Sequence, residues 1–214
     1  MRVLASPRPL RHLLVAFVLL AAPAAAQDTP FRRVKLAYGI SLEIPARWNV
    51  LPKETRQSLE ATRETITRNA GIEKPAGKTE GLLAVNATPD PAGAMIRLNV
   101  TSPSEYTQDN LAATTAEGLQ ALRAELLTMF QRLEASSGPR ILDVHTPRIE
   151  PVNDRLALVI PYIRAGAKGA APWEVTQYKI PVSGRLVEMT LSHRQSDASE
   201  WKPLLEHARR SLRF

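Results

Sequence analysis

The chain has 214 residues, with 28 Lys and Arg against 21 Asp and Glu, a net charge of +7, and no cysteine. The absence of cysteine excludes disulfides, zinc–thiolate sites and thiol nucleophiles together. The basic residues are interspersed rather than blocked, which is the pattern of an ordinary solvated surface and not of a nucleic-acid footprint, so no nucleic-acid partner is expected.

Residues 1–26 carry the marks of a secretory signal. Arg2, Arg8 and Arg11 precede the apolar run Leu13–Ala22, and Pro23-Ala24-Ala25-Ala26 offers small residues for cleavage after Ala26. The run is shorter than the roughly 20 residues a spanning helix needs. Loss of the three arginines would lower the net charge to +4, with 25 basic and 21 acidic residues left. The expectation is an exported, periplasmic protein whose residues 27–214 form one domain.

Arg33–Leu36 and Ile40–Ile44 are predicted as short strands. In the second, Ile40, Leu42 and Ile44 alternate with Ser41 and Glu43, and Pro45, lacking an N–H, stops the ladder. Glu54–Ala70 is predicted as a polar helix with Leu59 and Ile66 as its main apolar contacts and Gly71 as a C-cap. After a charged, glycine-rich loop over Gly71–Gly81, Leu82–Thr88 and Ala94–Thr101 are predicted as a strand pair. A long helix is predicted over Asp109–Ala135. Thr115, Leu122 and Met129 repeat every seven residues, as do Leu119, Leu126 and Leu133; three heptads are too few for a coiled coil and suit a helix lying across a sheet. Strands follow at Ile141–Glu150 and Arg155–Arg164, then a loose Ala165–Pro172 loop. Trp173–Pro181 and Arg185–His193 form a hairpin about Val182-Ser183-Gly184, and a last helix starts within Ser199–Pro203 and runs to about Arg213. This order predicts an α+β fold: a single mainly antiparallel sheet flanked by helices.

Several motifs fall short of the chemistry they suggest. Gly71–Thr79 approaches a phosphate-binding loop, but five residues rather than four separate the first glycine from Gly-Lys-Thr, and no strand precedes it. Ser199-Glu-Trp-Lys202 has the Ser-x-x-Lys spacing of penicillin-recognising enzymes without their Ser-Asp-Asn or Lys-Thr-Gly partners. His145, His193 and His207 show no paired metal-ligand spacing, although Asp143 and His145 would share one strand face. No catalytic residue, metal or cofactor is assigned. Trp48 and Trp201 read as core closures. Trp173, at the end of the Ala165–Pro172 loop, reads as less purely structural, and with Lys168 it marks that loop as a candidate partner or ligand contact.

The segment Ile40-Ser-Leu-Glu-Ile-Pro45 followed by Trp48 resembles the strand, Pro, x, x, Trp opening of the PsbP/Mog1-like α/β/α sandwich domains. The closing hairpin Arg185–His193 and the helix ending Ala208-Arg-Arg-Ser-Leu212 resemble the end of those domains, and the order of elements agrees over most of residues 32–214. The resemblance implies a non-enzymatic domain with no shared catalytic residues, of the kind found in photosystem accessory subunits, a nuclear-transport cofactor, secretion chaperones and small exported proteins. It also implies that Trp48 is a structural closure. The expected function is an exported accessory protein binding a protein partner or a small apolar ligand, through one face of the sheet or the Ala165–Pro172 loop. Two alternatives stand beside it: a hydrolase with a dispersed site around His145 or His193, and an envelope-surface binder using Arg209, Arg210 and Arg213 against anionic lipid.

Overall fold

A computed structural model describes residues 29–73 and 77–214; the signal segment and its cleavage site lie outside the described residues. The turn at Ser183 and Gly184, both at positive φ (47° and 73°), shows how local chemistry sets the long strands. Two successive positive-φ residues make a tight turn that matches strand twist. It joins β9 (Trp173–Val182) to β10 (Arg185–Arg194) with Val182 opposite Arg185, and the pairing runs on to Trp173 opposite Arg194.

Around this hairpin the other strands assemble: β3 (Asn49–Val50), β4 (Lys78–Asn86), β5 (Ala94–Ser102), β6 (Ile141–Val144), β7 (Arg148–Val152) and β8 (Arg155–Arg164). The order across the sheet is β3-β4-β5-β10-β9-β8-β6, with β7 also on β8, and every pairing is antiparallel. The predicted strand Ile141–Glu150 is two strands. Val144 is the last residue of β6, His145-Thr146-Pro147 intervene, and β7 resumes at Arg148; the two pair with successive parts of the same edge of β8. A separate hairpin of β1 (Phe31–Lys35) and β2 (Ser41–Pro45) turns through Tyr38 and Gly39, at φ 61° and 77°.

Helices cover both faces, as an α/β/α sandwich requires. On one face, α4 (Ala198–Ser211) and the β1–β2 hairpin enclose the larger core, which includes Leu42, Ile44, Leu98, Met189, Leu205 and Leu212. Trp48 belongs to it, 5% exposed and edge-to-face with Trp201 at 5.9 Å between ring centres. The other face is covered from its two edges. At the β8 edge lie α2 (Gln108–Ala112) and α3 (Ala116–Ala135); at the β4 edge lies α1 (Lys53–Asn69). The single long helix predicted over Asp109–Ala135 is thus two. Thr107 caps the first through a box with Asn110, and Thr115 caps the second by accepting from the Gly118 N–H at 3.1 Å. A threonine that accepts from a helix's first N–H groups sits outside it, so Thr115 starts α3 instead of continuing the seven-residue seam. The remaining seam residues, Leu119, Leu122, Leu126, Met129 and Leu133, pack with Phe130 against β6, β8 and β9. Among the described residues no helix is long and apolar enough to cross a membrane.

Candidate functional site

The second face of the sheet is apolar toward β8 and polar toward its middle. Because successive side chains of a strand point to opposite faces, the strand register places Asn99, Glu188, Lys179 and Leu158 in one row across β5, β10, β9 and β8. The next row carries Arg97, Thr190, Gln177 and Ile160. Leu158 and Ile160 are buried under α2 and α3.

The helices leave the polar rows partly open because each is tied to its own edge. Gln108 of α2 donates to the Leu156 and Pro181 carbonyls at 3.1 and 2.8 Å and accepts from the Leu156 N–H at 2.8 Å. Arg123 of α3 donates through Nε to the Val144 carbonyl at 2.6 Å. At the opposite edge, the Leu51 N–H reaches the Ala84 carbonyl just before α1 begins, and Arg56 donates back to the Leu51 carbonyl at 3.0 Å. No residue of α1 is buried. Its face Leu59, Thr62, Arg63, Ile66 and Thr67 looks across at Met129, Phe130 and Leu133 of α3. Leu59, predicted as a packing contact of α1, is 49% exposed. The periodicity marks the correct helix face, but that face is a wall of an open cleft and not of a core.

The cleft encloses 960 Å³, and a further 440 Å³ depression continues from it along Gly71–Glu73, Met129 and Arg132. Its walls are mainly apolar: Leu59 and Ile66 from α1, Met129, Phe130 and Leu133 from α3, and Ile141 from β6. Its floor is polar: Tyr162, Gln177, Lys179, Glu188 and Thr79. The Lys179 ammonium lies 3.0 Å from Glu188 Oε1, and both side chains retain 23% exposure. Burial by itself would lower the Lys179 pKa; the charge and hydrogen bond of Glu188, with help from Tyr106 and Glu105, outweigh it and hold the lysine above its ordinary 10.5. Glu188 Oε2 also accepts from the Thr101 hydroxyl at 3.4 Å, and Thr101 shares a 2.9 Å hydrogen bond with Thr79. Tyr162 packs on Phe130 at 5.0 Å between ring centres, and its hydroxyl bonds Gln177; burial pushes that hydroxyl above its ordinary pKa of 10.0.

The residues singled out from sequence lie elsewhere. Trp173 opens β9 and is 8% exposed, within the smaller core and beneath the Arg164 guanidinium at 4.8 Å. It does not line the cleft. Lys168 falls in a single 3-10 turn, Ala167–Gly169, and its side chain lies outside the described parts of the structure. The three histidines of the described residues lie apart, each beside a carboxylate: His145, in the β6–β7 connection, by Asp143 at 3.3 Å, His193 of β10 by Glu174 at 3.8 Å and His207 of α4 by Glu43 at 2.7 Å. Lys202, the lysine of the Ser-x-x-Lys match, pairs with Glu174 at 3.0 Å. Among the described residues no group of three or more His, Asp or Glu is placed to hold a metal ion. Of the terminal arginines, Arg209 is tied to Glu206 and lies over Tyr178, and Arg213 donates to the Arg210 and Leu212 carbonyls. Residues 74–76, inside the phosphate-loop near match, lie outside the described residues.

Sequence reasoning passed over Lys179 and Glu188. The signal was present: they stand symmetrically about the Ser183-Gly184 turn, and a two-residue turn places them directly opposite.

No family model matches this sequence, and no curated protein does. Among solved structures, it is similar to cyanobacterial PsbP (CyanoP) from Synechocystis sp. PCC 6803, with a TM-score of 0.48 and 10% identity over 91% of this chain and 98% of that one. It is also similar to LpqN, a protein involved in cell envelope biogenesis of Mycobacterium tuberculosis, with a TM-score of 0.45 and 12% identity over 87% of this chain and 86% of that one. At these identities neither likeness carries over any residue's role.

Proposed function

We propose that this chain is an exported accessory protein that binds a small, mainly apolar ligand, held in the cleft between α1 and α3 over the face of the sheet. The observation that carries this reading is the cleft itself. Its 960 Å³ is the size of small-molecule sites generally, about 300–1,000 Å³, and it joins apolar walls to a few convergent polar groups on the floor. The cleft lies on one of the two regions expected from sequence, a face of the sheet. The buried position of Trp173 makes the loop region the weaker of the two. Export is part of the proposal and rests on the basic and apolar pattern of residues 1–26.

The test is titration of the mature chain with Nile red, an uncharged dye whose emission brightens in apolar surroundings. Saturable one-to-one binding is expected. It should be lost when Leu59→Trp and Ile66→Trp together fill the cleft from the α1 wall, with the melting temperature retained. Absence of saturable binding, or binding indifferent to the filled cleft, would overturn the reading.

A further inference from the structure

We infer that the ligand of this cleft is an amphipath with no net charge, its polar end seated on the Lys179–Glu188 pair and its apolar body between α1 and α3. This rests on the cleft being the ligand site. The floor is an internally compensated dipole: an ammonium and a carboxylate 3.0 Å apart, directly opposite in register on the two central strands and both still open to the cleft. An ammonium has three donors, and Glu188 takes one of them. Glu188 keeps acceptor capacity beyond Lys179 and Thr101. The flanking floor groups, Gln177, Tyr162 and Thr79, are uncharged hydrogen-bonding groups.

The rest of the lining adds no bias. Arg63, Arg68 and Lys179 are matched in number by Glu64, Glu73 and Glu188, so the cleft wall is electroneutral. An anionic head placed on Lys179 meets Glu188 at nearly the same distance, and a cationic head on Glu188 meets Lys179. Once the ligand's apolar body covers the floor, a lone charge seated on the pair has lost hydration and gains no net attraction. A head bearing hydroxyl or ether oxygens, or both signs of charge at once, avoids that loss and meets donor and acceptor together. The Lys179–Glu188 pair therefore acts by rejecting charged heads, a specificity built on repulsion as much as attraction.

Four twelve-carbon chains, each used below its micelle concentration to displace Nile red, test this directly. They differ only in the head: an oligoethylene glycol ether, phosphocholine, carboxylate and trimethylammonium. The ether and phosphocholine compounds should displace the dye at concentrations at least tenfold below the other two. Phosphocholine ahead of the ether assigns a zwitterionic head; the reverse order assigns an uncharged one. Glu188→Gln should shift preference at least tenfold toward the carboxylate, and Lys179→Met should shift it toward trimethylammonium. The exchanged pair Lys179→Glu with Glu188→Lys should keep the original ranking. All four heads within about threefold of one another, or a ranking indifferent to both single variants, would overturn the inference while leaving the cleft a binding site. Failure of Nile red to bind at all would remove the site and the inference together.

Discussion

Replacing Leu59 by glutamine removes an apolar contact from the α1 wall while keeping side-chain length and helix propensity, since leucine and glutamine rank close together as helix formers. Fully burying a leucine side chain is worth about 1.5–3 kcal/mol. Leu59 is 49% exposed where it lines the cleft. A ligand covering it therefore recovers at most about half of that, roughly 0.7–1.5 kcal/mol. At 1.4 kcal/mol per tenfold, Leu59→Gln should weaken Nile red binding by about threefold to tenfold. The fold should not register the change, because no residue of α1 is buried. Surface substitutions usually stay within about 0.5 kcal/mol, which for a domain of this size is a melting shift of about 1–2 °C. The assays are dye titration and thermal unfolding on the same preparation. Unchanged affinity with an unchanged melting temperature would show that the ligand does not touch α1. A melting temperature lowered by more than about 5 °C would show that Leu59 holds the fold and would refute its place on an open wall.

Trp173→Ala should cost about 3–5 kcal/mol, the usual loss for truncating a buried tryptophan, and lower the melting temperature by roughly 6–20 °C, while the folded protein binds Nile red normally. A melting temperature left unchanged would restore the Ala165–Pro172 loop as a contact surface. Glu43 accepts from His207 at 2.7 Å and from Arg33 at 2.8 Å, and these two bonds hold its carboxyl below the ordinary 4.5. With a depressed folded pKa, its stabilisation is present above pH 4.5 and is lost as pH falls through the lower folded value. Glu43→Gln should thus melt below the parent at neutral pH, and the two melting curves should converge on acidification; a gap that persists in acid would contradict the assignment. A Cβ at Gly93 would lie 2.6 Å from Trp201 Nε1, so Gly93→Ala should cost about 1–3 kcal/mol as overpacking, read as a lowered urea midpoint. An unmoved midpoint would show that the Trp201 ring yields freely.

Local regularities were readable from the chain alone because their causes lie within a few residues. The alternation of Ile40, Leu42 and Ile44 predicted β2, and the apolar repeat from Leu119 to Leu133 predicted the face α3 turns to the sheet. The Lys179–Glu188 pairing was not read, because the chain suggests a three-residue turn over Val182-Ser183-Gly184; the backbone adds Val182 to β9, and the two-residue turn that remains sets the register. The break before α3 was hidden because Thr115 fits two patterns, a seven-residue repeat and a helix cap, and only the backbone around it selects the cap. Pairing of β5 with β10, some ninety residues apart in sequence, was beyond the chain's local pattern, because backbone hydrogen bonds do not depend on which side chains flank them. The cleft lay furthest from view. It exists because α1 is tied to the β4 edge and α2 and α3 to the β8 edge, leaving the polar middle of the sheet between them. Leu59 and Ile66 have the spacing of a core face, and whether such a face meets a core or open space depends on how far apart its neighbours are anchored, a distance that only the assembled sheet sets.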